Sequence, residues 1–311
     1  MSTNELLHPT ARHSMSGAPY RTSHMAVQRL LSISIYILTS LIGLTAFLYP
    51  FFTLTVQTTV ASQQLAHSAD SPLILALLIG LSLAALAVET QGQMLSARMI
   101  ALLGILVAIN STLRFADAVV RGPGGFSPIF LLIIACGYVF GGRFGFLMGI
   151  LTMLVSAIIT GGIGPWLPYQ MFTAGWMGMS AGWLGAARKI INRSKTGSTH
   201  VSRIRKREII MLCIFGAGWG FVYGAIMNLW FWPFQAGDAA QSWQAGLSLT
   251  QGIQRYLAFY LATSAVWDIF AAVGNIALLA LFGIPTLNAL LRFKNRFMFT
   301  TDFAARTPDK V

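Results

Sequence analysis

The side chains able to do chemistry in this 311-residue chain fall in four places. Gly161-Gly-Ile-Gly-Pro165-Trp166-Leu-Pro168-Tyr169-Gln170 sets glycines, prolines, two aromatic rings and an amide between two strongly apolar segments. Asn110, Arg114 and Asp117 close an earlier apolar segment; Tyr223, Asn228, Trp230 and Trp232 close a later one; Gln251, Gln254, Asp268 and Asn275 lie along the last. Amides and a guanidinium that orient a solute, with rings that stack on it, suit capture of a small molecule. Asp268 is a carboxyl inside an apolar span and therefore a functional candidate, with a structural pair to Arg114 or a hydrogen bond to Asn275 as the plainer account. Trp230 and Trp232 fit an interfacial belt. Trp166 differs, because its proline and glycine neighbours fix the backbone around it, and it is expected at the floor of a pocket.

Covalent chemistry finds little support. Gly178-Met-Ser180-Ala-Gly182 matches the nucleophile-elbow pattern, but that pattern needs a strand-to-helix turn and a histidine base. The serine sits in an apolar segment, and the five histidines, His8, His13, His24, His67 and His200, all lie outside the apolar spans. Haem or zinc ligation by histidine within the membrane is excluded on the same ground. Cys136 and Cys213 stand alone, so neither a disulfide framework nor a metal site is implied. No phosphate-binding G-x-x-x-x-G-K-[ST] loop occurs, so ATP would have to be used by other subunits; Asp-rich carboxylate pairs are absent too.

The elements that must position these groups are membrane helices. With 55% hydrophobic and 10% charged residues, the chain lacks the polar surface of a soluble domain of its size. Eight spans are expected, at about 30–51, 72–88, 99–116, 127–140, 144–160, 171–187, 209–230 and within 256–291. The last stretch is either one span with a bend or extension, interrupted by Asp268, Asn275 and Gly283-Ile-Pro285, or a re-entrant pair. Residues 1–29 are read as a flexible cytoplasmic tail ahead of a retained signal anchor, and 293–311 as a second cytoplasmic tail. Placing both termini inside puts 18 of the 21 Lys and Arg residues on the cytoplasmic side, including the basic segment 188–207. The net charge of +12 is thereby a topology signal and not a nucleic-acid footprint. Gly161–Gln170 then faces outward. Small residues recur at helix-packing spacing, as Ala97, Ala101, Gly104 and Ala108; Gly145 and Gly149; Ala174, Gly178 and Gly182; and Gly216, Gly220 and Gly224.

Phe126-Ser-Pro-Ile-Phe130, Gly137-Tyr-Val-Phe-Gly-Gly-Arg-Phe-Gly145, Gly164-Pro-Trp-Leu-Pro-Tyr-Gln170 and Tyr223-Gly-Ala-Ile-Met-Asn-Leu-Trp-Phe-Trp232 together resemble the substrate-binding S components of energy-coupling factor (ECF) vitamin transporters, the cobalamin-type branch most closely. The resemblance covers residues 97–292 and implies a six-helix core in a prokaryotic plasma membrane. It implies an outward pocket for a vitamin-like solute, closed by the loop after the first family helix, here 117–126. It further implies docking on a T component driven by two ATPase subunits, through an Ala-x-x-x-Ala pattern that Ala97 and Ala101 match. Residues 30–96 add a two-helix hairpin that this family lacks.

The expectation is therefore a non-enzymatic substrate-binding subunit, binding no cofactor or metal itself. Arg114, Trp166, Tyr169, Gln170, Tyr223, Asn228 and Asp268 line or edge its pocket. The competing expectation is a proton-coupled secondary transporter that titrates Asp268; it is opposed by the single intramembrane carboxylate and the lack of an obvious inverted repeat.

Overall fold

The computed structural model describes residues 18–53, 67–91, 96–119, 126–196, 204–235 and 237–304. Among them the secondary structure is entirely helical, as it must be where a backbone in lipid has no water to satisfy its polar groups. In chain order the helices are α1 (Ala18–Leu48), a single turn α2 (Pro50–Thr53), α3 (Ser71–Gln91), α4 (Ala97–Val119), α5 (Ile129–Phe140), α6 (Gly142–Thr160), α7 (Leu167–Thr196), α8 (Lys206–Phe231), α9 (Leu249–Thr263) and α10 (Ala265–Ala304). Six are long and apolar enough to cross a membrane, α1, α3, α4, α6, α8 and α10. The apolar but twelve-residue α5 and the longer α7 pack against α6 at the centre of the bundle.

Three boundaries differ from those expected. α1 starts at Ala18, so the helix reaches well into the supposed tail; Pro19 sits in its first turn, where a missing N–H costs nothing. α7 runs on to Thr196, carrying Arg188, Lys189, Arg193 and Lys195 on a helix because no Gly or Pro interrupts 186–196. The stretch 256–291 is broken at Ser264 and not at Gly283–Pro285. α9 opens with a capping box in which Ser248 and Gln251 satisfy each other's backbone N–H groups. α10 then continues for 40 residues, about 60 Å, twice the roughly 30 Å hydrocarbon layer.

Close backbone approach holds the core together. A Cβ at Gly178 of α7 would strike the Gly145 carbonyl of α6, and one at Gly149 would strike the Ala174 carbonyl. These small-residue stripes are intramolecular seams. The tight turn between α5 and α6 requires Gly141, whose φ of 109° no L side chain adopts comfortably. The stripe on α4 is different. Ala97, Ala101, Gly104 and Ala108 are exposed, and a Cβ at Gly104 would meet nothing within 4 Å. α4 packs on α6 and α5 with its opposite face, through Leu102, Leu103, Leu106 and Val107.

The added hairpin, α1 and α3, packs on α7. Gly43 lets the Phe172 ring lie against α1, Trp176 donates its indole N–H to Ser40 Oγ at 3.2 Å, and Tyr36 meets Phe146 edge-on at 5.4 Å. At the Arg143 end of the bundle the buried Glu89 accepts from Arg143 at 3.0 Å and from the Ser32 hydroxyl.

Candidate functional site

The Trp166 end of the bundle holds two connected polar clusters. In the first, Arg114 of α4 donates to Gln170 Oε1 at 3.1 Å and to Ser156 Oγ at 3.3 Å, and also contacts the Met153 sulfur. One turn deeper on α4, Asn110 donates to the Ile129 carbonyl at 3.1 Å and to Thr152 Oγ1 at 3.2 Å, while its own Oδ1 is buried without a partner. Tyr223 of α8 packs on Phe130 of α5, with ring centroids 5.0 Å apart. Asn228 Nδ2 and Trp230 Nε1 on α8 are buried donors without partners. Buried polar atoms left open in this way are costly unless a water or ligand meets them.

The second cluster was not legible in the sequence. His67, in the turn that enters α3, lies wholly buried among core rings although it is outside every span. Its Nδ1 is 2.8 Å from Asp70 Oδ2 and 2.6 Å from the Tyr169 hydroxyl, and its Nε2 is 3.1 Å from the Trp230 carbonyl. The Tyr169 hydroxyl donates to Asp70 at 2.9 Å. With the single Tyr169 hydroxyl proton given to Asp70, a hydrogen on Nδ1 serves Asp70 and one on Nε2 serves the Trp230 carbonyl. The ring stacks on Trp230 at 5.8 Å and meets Phe234 and Tyr49 edge-on at 4.8 and 5.8 Å. His67 also takes a left-handed backbone, φ 56°, which a non-glycine residue holds only where its surroundings impose it. Burial pushes the Asp70 carboxyl up, but hydrogen bonds from His67, Tyr49 and Tyr169 outweigh it and hold the group below its ordinary value.

The expected site residues therefore separate. Arg114 and Gln170 are joined directly, while Tyr223 and Asn228 stand on α8 with its open polar atoms. Tyr169 is fully buried beneath His67 and Asp70 rather than facing open space. Trp166 is 40% exposed, its ring folded over Gly164, and the helix begins at Leu167, one residue after it. Asp268 makes neither expected pairing. Its carboxylate fits a notch left by Gly224 and accepts from Ser264 at 3.3 Å and from Tyr260, whereas Asn275 donates to the Gly216 carbonyl at 2.8 Å. The turn at Ser264, unexpected from the sequence, brings those hydroxyls to Asp268. Ser180 is structural, donating to the Trp176 and Met177 carbonyls and accepting from Trp219. Of the supposed lid 117–126, residues 120–125 lie outside the described residues. No group of three or more His, Cys, Asp or Glu able to hold a metal ion occurs among the described residues.

Fold and site define a polytopic α-helical membrane protein with two polar clusters at the Trp166 end of the bundle. The chain belongs to the family of substrate-specific components of ECF transporters: that family model matches residues 98–283, more than half of the chain, beginning just after the added hairpin. This is a transport family and not an enzyme family, and membership implies a T component and ATPase partners. No curated protein and no solved structure matches the chain.

Proposed function

We propose that the chain captures a vitamin or related micronutrient from outside a prokaryotic cell and delivers it through an ATP-driven complex, with cobalamin or a precursor the first solute to try by resemblance. The carrying observation is the meeting of Arg114, Gln170 and Ser156, from three helices, beside buried unpartnered amide and indole donors on α8. A permanent cation and N–H donors suit a solute rich in acceptor groups, with Tyr223 and Phe130 offering ring faces. Covering this end, His67 and Asp70 act as a plug supplied by the added hairpin, and it must lift for the solute to reach the cluster. The charge count, with both termini inside, puts the plug on the outer face. ATP is used by the partner subunits, and this chain needs no cofactor.

Docking on the T component is assigned to Ala97 and Ala101, which are exposed among the described residues. Co-expression with a T component and its ATPases tests the reading. Wild-type protein should co-purify with them, Ala101→Trp should fold normally yet lose the complex, and extraction should release a small molecule of vitamin size. A folded wild-type chain that binds no vitamin and no T component would reject the proposal. Uptake abolished by an uncoupler, indifferent to the ATPases and lost in Asp268→Asn, would favour the proton-coupled reading instead.

A further inference from the structure

A second site lies at the opposite end of the molecule, between the added hairpin and the core. A cleft of about 1000 Å³ runs between α1 and the α5–α6–α7 corner, open sideways to the bilayer. Ile37, Leu41 and Leu44 of α1 form one wall and Met179 and Trp183 of α7 the other, all but Met179 strongly exposed. From Ile33 to Leu44 the wall follows α1 for about 17 Å, close to the roughly 15 Å half-thickness of the hydrocarbon layer.

The charged groups of the cleft gather at one end, and Ser40, farther along the α1 wall, is taken up by the Trp176 indole N–H. Tyr36 is 6% exposed, lines the cleft, and has a buried hydroxyl with no hydrogen-bond partner. Next to it stand Arg143 and Gly141–Gly142, the uncapped N-terminus of the 19-residue α6. Arg143 commits Nη1 to Glu89 at 3.0 Å, which leaves guanidinium donors for a further acceptor. The Glu89 carboxylate is already matched by Arg143 and Ser32. An uncapped helix start, a guanidinium fork and a buried hydroxyl donor together favour a phosphate. The apolar remainder, one leaflet long, favours acyl chains.

We propose that this cleft binds one anionic phospholipid from the leaflet at the Arg143 end, cytoplasmic by the charge count. Its phosphate meets Arg143, Tyr36 and the start of α6, and its chains lie between α1 and α7. Bound there, the lipid fills the seam that joins the added hairpin to the core. The site is independent of the solute cluster at the Trp166 end.

The full-length protein, purified in mild detergent, is titrated with phosphatidylglycerol or with phosphatidylcholine of identical chains, and retained lipid is counted by native mass spectrometry. One phosphatidylglycerol should be retained at least several-fold more strongly than phosphatidylcholine. Tyr36→Phe keeps the ring on Phe146 and should weaken retention of the anionic lipid about ten- to 150-fold, as loss of a hydrogen bond to a charged group does. Leu41→Trp, at an exposed position, fills the cleft and should abolish retention of both lipids. Equal retention of the two headgroups, or wild-type retention in either variant, overturns the proposal. Because solute binding is not read, failure here leaves the transport reading untouched.

Discussion

His67 reaches the core through two hydrogen bonds, to the Tyr169 hydroxyl and the Trp230 carbonyl, and through stacking on Trp230. His67→Ala removes both bonds. At a net value of about 0.5–1.5 kcal/mol each, plus a smaller ring contribution, the closed arrangement loses about 1–3 kcal/mol, so the open fraction rises about 5- to 150-fold. A buried thiol reports that fraction. Thr173 is 0% exposed, lies one helical turn below Tyr169, and bonds the Tyr169 carbonyl, so Thr173→Cys places a near-isosteric thiol beneath the plug. In a background lacking Cys136 and Cys213, its reaction with a water-soluble methanethiosulfonate is slow while the plug is shut. When opening and closing outpace the labelling, the rate follows the open population. His67→Ala should therefore accelerate labelling within the range above, leaving labelling of an exposed Ser248→Cys control unchanged. A change of less than about twofold, with the control behaving normally, would show that His67 does not restrict access.

Three further outcomes follow from the same geometry. Asp70 is held below its ordinary carboxyl value, so its contribution is present at neutral pH and is lost as pH falls through the folded-state value; the thermal midpoint should drop on acidification toward pH 3, and less so in Asp70→Asn. Gly178→Ala drives a methyl into the Gly145 carbonyl and should cost about 1–3 kcal/mol as a lowered melting midpoint. Gly104→Ala, pointing into open space, should be neutral or raise the midpoint, by up to about 1 kcal/mol.

The helices were legible because lipid leaves an apolar segment few alternatives, and the glycine seams because spacing of three and four marks one helix face. Arg114 and Gln170 could be nominated from their positions at span ends. His67 could not. It is separated from Tyr169 by 102 positions and sits in a polar segment, where a histidine ordinarily means solvent. Only tertiary folding of the hairpin over α7 makes it a core residue. Asp268 failed for the same reason: its partners, Ser264 and Tyr260, are near in sequence, but a pairing with them requires the helix break at Ser264, and no glycine or proline announces that break. For Trp166 the sequence could not tell which way the ring turns, because Gly-Pro and Leu-Pro fix only a backbone path.

The hairpin also bears on how the family's docking can operate here. It is tied at both ends, through His67 and Asp70 to Tyr169 and Trp230, and through Glu89 to Arg143. Between these ties Phe172 and Trp176 pack on α1. Restraint at two ends and the middle makes α1 and α3 part of the same body as α6 and α7, so a reorientation of the core in the membrane carries them with it. Their place is on α7, whereas the exposed Ala97–Ala101 face belongs to α4, which packs on α6 and α5. An added hairpin on α4 would have covered the small-residue stripe; on α7 it leaves that stripe exposed among the described residues and brings His67 and Asp70 over Tyr169. The addition therefore screens the polar cluster beneath His67 and leaves the α4 stripe exposed, as the proposed capture and docking would require.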